Sequence, residues 1–360
     1  MRIAFLDSWL QSSAEGSGTA VGIGGLRRAL LRSGVCVSRL APPGRWPTGL
    51  TARRLLFNAA LPALLRALHY DLVVGFDIDG FLCAGRLAAP YVVSIKGVLA
   101  EEARQERGSP RRLLWSLSRL ERHNARRADL VLTTSAYCRA AVGRRYGVPA
   151  GRVRLVPEGI DLARWDRFHR EGGRGDGRTI LCVARQYPRK HVADLLRAMP
   201  LVRRDVPGAR ALIVGDGPEH AALLRLHAEL GLRDATWLLG AVPDDDDLAR
   251  MYQRADVFCL PSVQEGFGIV FLEAMASGLP VVATRSAAIP EVVPDGLAGT
   301  LVPPGDVDAL AGALVALLQC PRRRARLGAL GREHVRRYDW DAVAGEFLEA
   351  VGPLVGGAAG

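Results

Sequence analysis

The sequence has 360 residues, 49% of them apolar and 6% aromatic, and its formal charge of +11 is carried almost entirely by arginine. That length accommodates two domains of ordinary size, and the low aromatic content makes their cores depend on Leu, Val and Ala. The charge suits nucleic acid, an anionic membrane face or phosphorylated ligands, but no RNA-binding aromatic motif, zinc-finger spacing or basic zipper supports nucleic acid as a partner. A solvated arginine-rich surface is the plain alternative. No apolar run approaches the roughly 18 residues of a membrane span. Met1–Leu6 reads as a first strand rather than a leader, because Asp7 follows at once. None of Cys36, Cys83, Cys138, Cys182, Cys259 and Cys320 forms a CxxC pair, so buried free thiols in a reducing compartment are expected. The expected location is cytoplasmic.

Strand and helix signals alternate along the first half. Arg2–Leu6 is a short apolar strand. A glycine-rich stretch from Gly16 through Gly18 to Gly25 opens a helix that ends near Ser33. Strands are expected at Val35–Leu40, Leu72–Gly75, Tyr91–Ile95, Leu130–Thr133 and Val153–Val156, with helices near 51–69, 110–127 and 136–145. Glycines and charges without apolar periodicity then mark a linker at 169–178. Alternation restarts with strands Thr179–Ala184, Ala209–Gly215, 235–239, Val257–Leu260 and Pro280–Thr284. The helices between and after them lie near 191–203, 219–229, 247–253, 268–277, 306–318, 321–336 and 340–351. Apolar strands alternating with amphipathic helices predict an α/β fold of two open parallel sheets, with ligands at the carboxyl ends of the strands.

The first glycine-rich unit fails as a dinucleotide fingerprint. Starting at Gly16 places Val21 where the third glycine belongs, and starting at Gly22 places Arg27 there. A phosphate could still approach the backbone near Gly18; a simple tight turn is the alternative.

The segment Pro261–Val281 is more informative. A strand ends at Leu260, a loop carries Glu265, Gly266, Phe267 and Gly268, and a helix begins that carries Glu273, eight residues after Glu265. Gly266 and Gly268 let a ligand approach the backbone. The N–H groups of Gly268, Ile269 and Val270 at the helix start form an anion site suited to a diphosphate. Carboxylates beside a diphosphate are repulsive unless they accept hydroxyl hydrogens, and sugar hydroxyls are natural donors. One capping acid and one exposed acid would be the purely structural reading.

This segment resembles the E-x7-E signature of the family-4 retaining glycosyltransferases (glycosyl transferases group 1). The resemblance implies a GT-B fold, in which two Rossmann-like domains with parallel sheets face an interdomain cleft. It implies that Glu265 contacts the donor sugar and Glu273 the ribose. Arg185 and Lys190, after the strand Ile180–Ala184, match the family's diphosphate-binding pair. Val214-Gly215-Asp216-Gly-Pro218 resembles the turn beside the nucleotide, and Leu239 would lie near the base. The match runs from 128 to 345 and only in outline before that. It implies an acceptor-side domain at 1–168, a nucleotide-sugar domain at 179–337, and a helix at 338–360 crossing back to the first.

The implied activity is transfer of a sugar from a nucleotide-diphosphate sugar to an acceptor hydroxyl of a glycan, lipid or small natural product. Attack is from the front face with retention, and neither metal nor other cofactor is required. A non-catalytic nucleotide-sugar-binding protein and a GT-B epimerase are the alternatives. Two departures stand out. Many members have His where this chain has Lys96, and many have Asn where it has Glu158. Lys96 is therefore an acceptor-side candidate, and Asp77 and Asp79, which follow a strand, are candidates for acceptor contact or loop hydrogen bonding. Asp77-Ile-Asp79 also imitates a DxD metal motif, without supporting features. Asp244–Asp247 reads as a helix start. The arginine-rich stretch 104–127, interleaved with Leu113, Leu114, Trp115, Leu117 and Leu120, either packs into the first domain or rests on an anionic membrane.

Overall fold

The computed structural model describes residues 1–9, 18–43, 49–171 and 175–355. Two compact units divide the chain: Met1–Gly159 with Trp340–Gly360, and Ile160–Asp339. Among the described residues each unit holds one six-stranded sheet, parallel throughout.

In the first unit the strands are β1 (Arg2–Leu6), β2 (Cys36–Leu40), β3 (Leu72–Phe76), β4 (Tyr91–Ile95), β5 (Leu130–Thr133) and β6 (Val153–Leu155), ordered β2-β1-β3-β4-β5-β6. Runs such as Leu72-Val-Val-Gly-Phe76 are buried along their whole length, because helices cover both faces of the sheet. These helices are α1 (Gly18–Arg32), α2 (Leu50–Arg66), α3 (Leu99–Gln105), α4 (Gly108–Arg127) and α5 (Ala136–Tyr146). The last helix of the chain, Trp340–Val355, belongs to this unit and packs along α1. Its Phe347 meets Phe5 edge-on with ring centroids 6.3 Å apart, and Phe5 meets Phe76 at 5.1 Å. Trp340 is wedged between α1 and Gly159. A Cβ on Gly25 would lie 2.1 Å from its ring, and one on Gly159 would lie 2.5 Å from it. These glycines serve close packing.

In the second unit, α6 (Leu162–Glu171) precedes β7 (Thr179–Val183), α7 (Val192–Asp205), β8 (Arg210–Val214), α8 (His220–Glu229), β9 (Thr236–Gly240), α9 (Asp245–Arg254), β10 (Val257–Leu260) and α10 (Ile269–Ala276). Then come β11 (Val281–Thr284), α11 (Ile289–Val292), β12 (Gly299–Val302), α12 (Val307–Leu318) and α13 (Pro321–Val335). The sheet order is β12-β11-β10-β7-β8-β9. The side chains of Asp244 and Asp306 accept backbone N–H groups at the starts of α9 and α12, satisfying donors that a helix start leaves open.

The domain boundary differs from the expected one. The chain changes unit at Gly159–Ile160, not across a linker at 169–178. The cause is α6, whose Trp165 and Phe168 are buried in the second core, so residues 160–168 belong to the second unit. Of the expected linker, 172–174 lie outside the described residues, as do Gly16 and the last five residues. Cys83, Cys138, Cys182 and Cys259 are buried and unbridged, whereas Cys36 and Cys320 are exposed, contrary to expectation.

Candidate functional site

In the second unit, parallel strands bring the turns after β7, β8 and β10 to one end of the sheet. The first two turns are stitched together by Gln186. Its Nε2 donates to the Gly215 carbonyl at 2.7 Å, its Oε1 meets His220 Nδ1 at 2.8 Å, and its N–H donates to the Asp216 carbonyl at 2.9 Å. Gly215 has φ +117°, and a Cβ there would lie 2.0 Å from the Ala184 carbonyl oxygen. The Gly215 requirement is thus a backbone contact between two turns.

The third turn carries Glu265. Glu265 is 7% exposed. Lys190 Nζ lies 2.7 Å from Oε1 and 2.8 Å from Oε2, and Ser262 Oγ donates to Oε1 at 2.7 Å. Backbone contacts brace this cluster: Val263 N–H donates to the Arg189 carbonyl at 2.9 Å, Thr284 Oγ1 donates to the Ser262 carbonyl, and Ser286 Oγ donates to that of Val263 at 2.7 Å. Lys190 and Glu265, read from the sequence as separate contacts for phosphate and sugar, are therefore one ion pair. Arg185 is exposed on the same turn as Lys190, and Arg189 stacks over the Tyr187 ring at 4.5 Å.

Gly268, Ile269 and Val270 are part-exposed at the start of α10, where first-turn N–H groups have no intrahelical acceptor. Gly268 has φ +95°, and a Cβ there would clash with the Phe271 ring at 2.6 Å. The Phe267 ring, in the loop expected to bind the donor, is buried 5.5 Å from that of Tyr338 and packs in the core. Glu273 is half-buried and accepts the Tyr252 hydroxyl at 2.8 Å. Burial raises its pKa above the ordinary glutamate value, against the lowering effects of Tyr252 and then Arg164. Leu239 is exposed on β9, the edge strand of the sheet.

In the first unit the acceptor-side candidates separate sharply. Asp79 is fully buried and saturated: it accepts Ser8 N–H at 2.9 Å, Ser8 Oγ at 2.7 Å and Asn58 Nδ2 at 3.1 Å, with Arg54 Nε at 3.6 Å. Asp79 is thus a structural hub whose two oxygens are both held by donors of its own unit. No group of metal-ligating side chains exists among the described residues. Asp77 is the odd member of the pair. It is not glycine, yet it has φ +56°; its Oδ1 accepts Lys96 N–H at 3.0 Å, and burial pushes its pKa up to about 6 despite Arg54. Lys96 Nζ lies 2.8 Å from Glu158 Oε1. Gly18 is the first residue of α1; the loop before it lies outside the described residues. Sequence reasoning missed Ser262, Tyr252 and the Ser8–Asn58–Arg54 set around Asp79; the first two are visible only as hydroxyl residues near an acid.

Two family models tile this architecture. Residues 19–164 match "Glycosyltransferase Family 4" and residues 164–334 match "Glycosyl transferases group 1". The chain belongs to the group 1, family 4 glycosyltransferases. Over 236 residues this family member is 37% identical to the GDP-mannose-dependent alpha-(1-6)-phosphatidylinositol monomannoside mannosyltransferase of Mycolicibacterium smegmatis, covering 61% of each chain. Over 174 residues it is 46% identical to the phosphatidyl-myo-inositol mannosyltransferase of Mycobacterium leprae, covering 48% of this chain and 46% of that one. The chain thus spans about three fifths or less of the length of these two relatives. A sucrose-phosphate synthase from Thermosynechococcus elongatus superposes with TM-score 0.81 at 24% identity, covering 99% of this chain and 100% of that one. Anabaena HepE, in complex with UDP and glucose, superposes with TM-score 0.72 at 19% identity, covering 98% and 100%. The fold is GT-B, with two Rossmann-like sheets.

Proposed function

We propose that the chain is a retaining glycosyltransferase that moves a sugar from a nucleotide-diphosphate sugar to an acceptor hydroxyl. The observation that carries this is the braced Lys190–Glu265–Ser262 cluster beside the glycine-started helix α10. The Lys190 ammonium and the Glu265 carboxylate neutralise each other. A donor would meet both: its phosphates take up the Lys190 ammonium, Arg185 and the N–H groups of α10, while its sugar hydroxyls donate to Glu265. Glu273 would receive the ribose hydroxyls. The acceptor would attack on the face the diphosphate leaves, and the departing phosphate would take its proton. The leaving charge is offset by two cations and a helix start, so a metal is not needed. Relatives named for GDP-mannose favour that donor.

A lipid acceptor reached from a membrane surface follows from a separate observation. Helix α4 exposes Leu113 and Trp115 among arginines, and α2 exposes Leu55, Leu56 and Leu64. Arginines around apolar side chains suit an anionic interface. No helix among the described residues is long and apolar enough to cross a membrane. Cytoplasmic placement at that face belongs to the same proposal.

The test is release of GDP and formation of glycoside from GDP-mannose. Glu265→Ala should abolish transfer while the chain keeps the far-UV circular dichroism of the wild type. Full transfer by that variant overturns the assignment.

A further inference from the structure

The chain contains two lysines, Lys96 and Lys190, against an arginine-dominated remainder. Both follow the carboxyl end of a strand, and both lie within 2.8 Å of a buried glutamate oxygen. An ammonium is a compact point charge, whereas a guanidinium is a planar fork that fills more space. Lysine at these two positions marks sites where a small cation must leave room beside it.

The Lys96 site differs from the Lys190 site in one respect. Glu265 has a partner for each of its oxygens, but among the described residues Glu158 has a partner only for Oε1. Oε2 is buried, the Glu158 side chain is 4% exposed, and that of Lys96 is 8% exposed. A buried carboxylate oxygen without a donor is costly, so it signals a missing partner. Its neighbour is α1 at Gly22, where a Cβ would lie 2.2 Å from Oε2. Oε2 is packed against the α1 backbone, and any side chain at position 22 would collide with it. The Phe76 ring, 5.8 Å from Lys96 Nζ, closes another side.

The chemistry of the missing partner is constrained. A phosphate or carboxylate would be repelled by the open oxygen. A second cation would leave a net positive charge in a buried place. A neutral hydroxyl donates one hydrogen and adds no charge. We propose that Lys96 and Glu158 form a subsite for a hydroxyl of a polyol acceptor, received by Glu158 Oε2 while Lys96 balances the carboxylate. The inference rests on the acceptor side of the proposed function and gives it a substrate class: a cyclitol or sugar ring. A glutamate's last torsion is broad, so the carboxylate can turn its open oxygen toward an arriving ring.

With two lysines, the sites can be read apart. Full-length protein labelled with ¹³C at lysine Cε should give two side-chain NMR signals, assigned by Lys96→Met and Lys190→Met. Titration with myo-inositol and with methyl α-D-mannopyranoside should move the Lys96 signal. Titration with GDP should move that of Lys190. Glu158→Gln should weaken the polyol titration about tenfold, the effect of one hydrogen bond to a charged group, and leave the GDP titration in place. If that variant does not fold, Gly22→Ala, which pushes a methyl against Oε2, should suppress the polyol shift instead. A Lys96 signal that neither polyol moves, or a polyol response undiminished in the folded variant, overturns the proposal. A Lys190 signal unmoved by GDP counts against the donor assignment alone.

Discussion

Removing Lys190 should expose how much the preformed ion pair matters. In Lys190→Met, Glu265 keeps Ser262 as its hydrogen-bond donor and remains 7% exposed. Breaking a fully buried pair costs roughly 3–5 kcal/mol. The Lys190 side chain is 15% exposed, so water reaches its end of the pair and a loss of about 2–3 kcal/mol is expected. For a unit of this size that is a fall of roughly 4–12 °C in melting temperature. Lys190→Met/Glu265→Gln, which removes both charges, should recover most of the loss. Urea denaturation of the wild type and both variants measures both effects. A single-variant loss below about 0.5 kcal/mol, or one unrelieved in the double variant, would refute the reasoning.

Three further outcomes are expected. Gly215→Ala should lower stability by more than about 2 kcal/mol, read in thermal melts, because its Cβ would lie 2.0 Å from the Ala184 oxygen and its φ is +117°. Asp79→Ala strips four partners from a buried hub and should cost about 3–5 kcal/mol in the first unit, while GDP affinity, measured by calorimetry, stays within twofold. GDP affinity should weaken as pH falls through a value above the ordinary glutamate range, because ribose hydroxyls need the ionised form of Glu273 and burial raises its pKa; Glu273→Gln should bind more weakly at pH 7.5 and lose that dependence.

Strands were legible where they are continuous apolar runs buried on both faces. Tyr91–Ile95, Leu130–Thr133 and Val257–Leu260 agree with their predicted limits to the residue. Gly299–Val302 was missed because four residues after a turn carry too little pattern. Leu162–Glu171 was missed because three apolar residues, Leu162, Trp165 and Phe168, stand among charges, and its burial depends on α9 and α10. At the site, Glu265 and Glu273 were legible because glycines and a helix start surround them in sequence. Their partners were not. The Lys190 contact spans 75 residues and the Ser8–Asp79 contact 71, and no local pattern encodes such distances. The same limit hid the Lys96–Glu158 pair, although each residue had been singled out as a departure from the family.

The final helix gives the order of events during synthesis a particular form. The N-terminal sheet packs Val343 and Phe347 over Phe5, and these arrive only after the whole second unit has been made. The ribosome delivers residues 160–339, a self-contained body, before the first body can close. Nascent 1–159 must therefore wait with that face of its sheet covered by α1 but not by the last helix. A stop codon just after position 339 would spare the second body and cripple the first, so damage would appear in the segment synthesised earliest, far along the chain from the lesion.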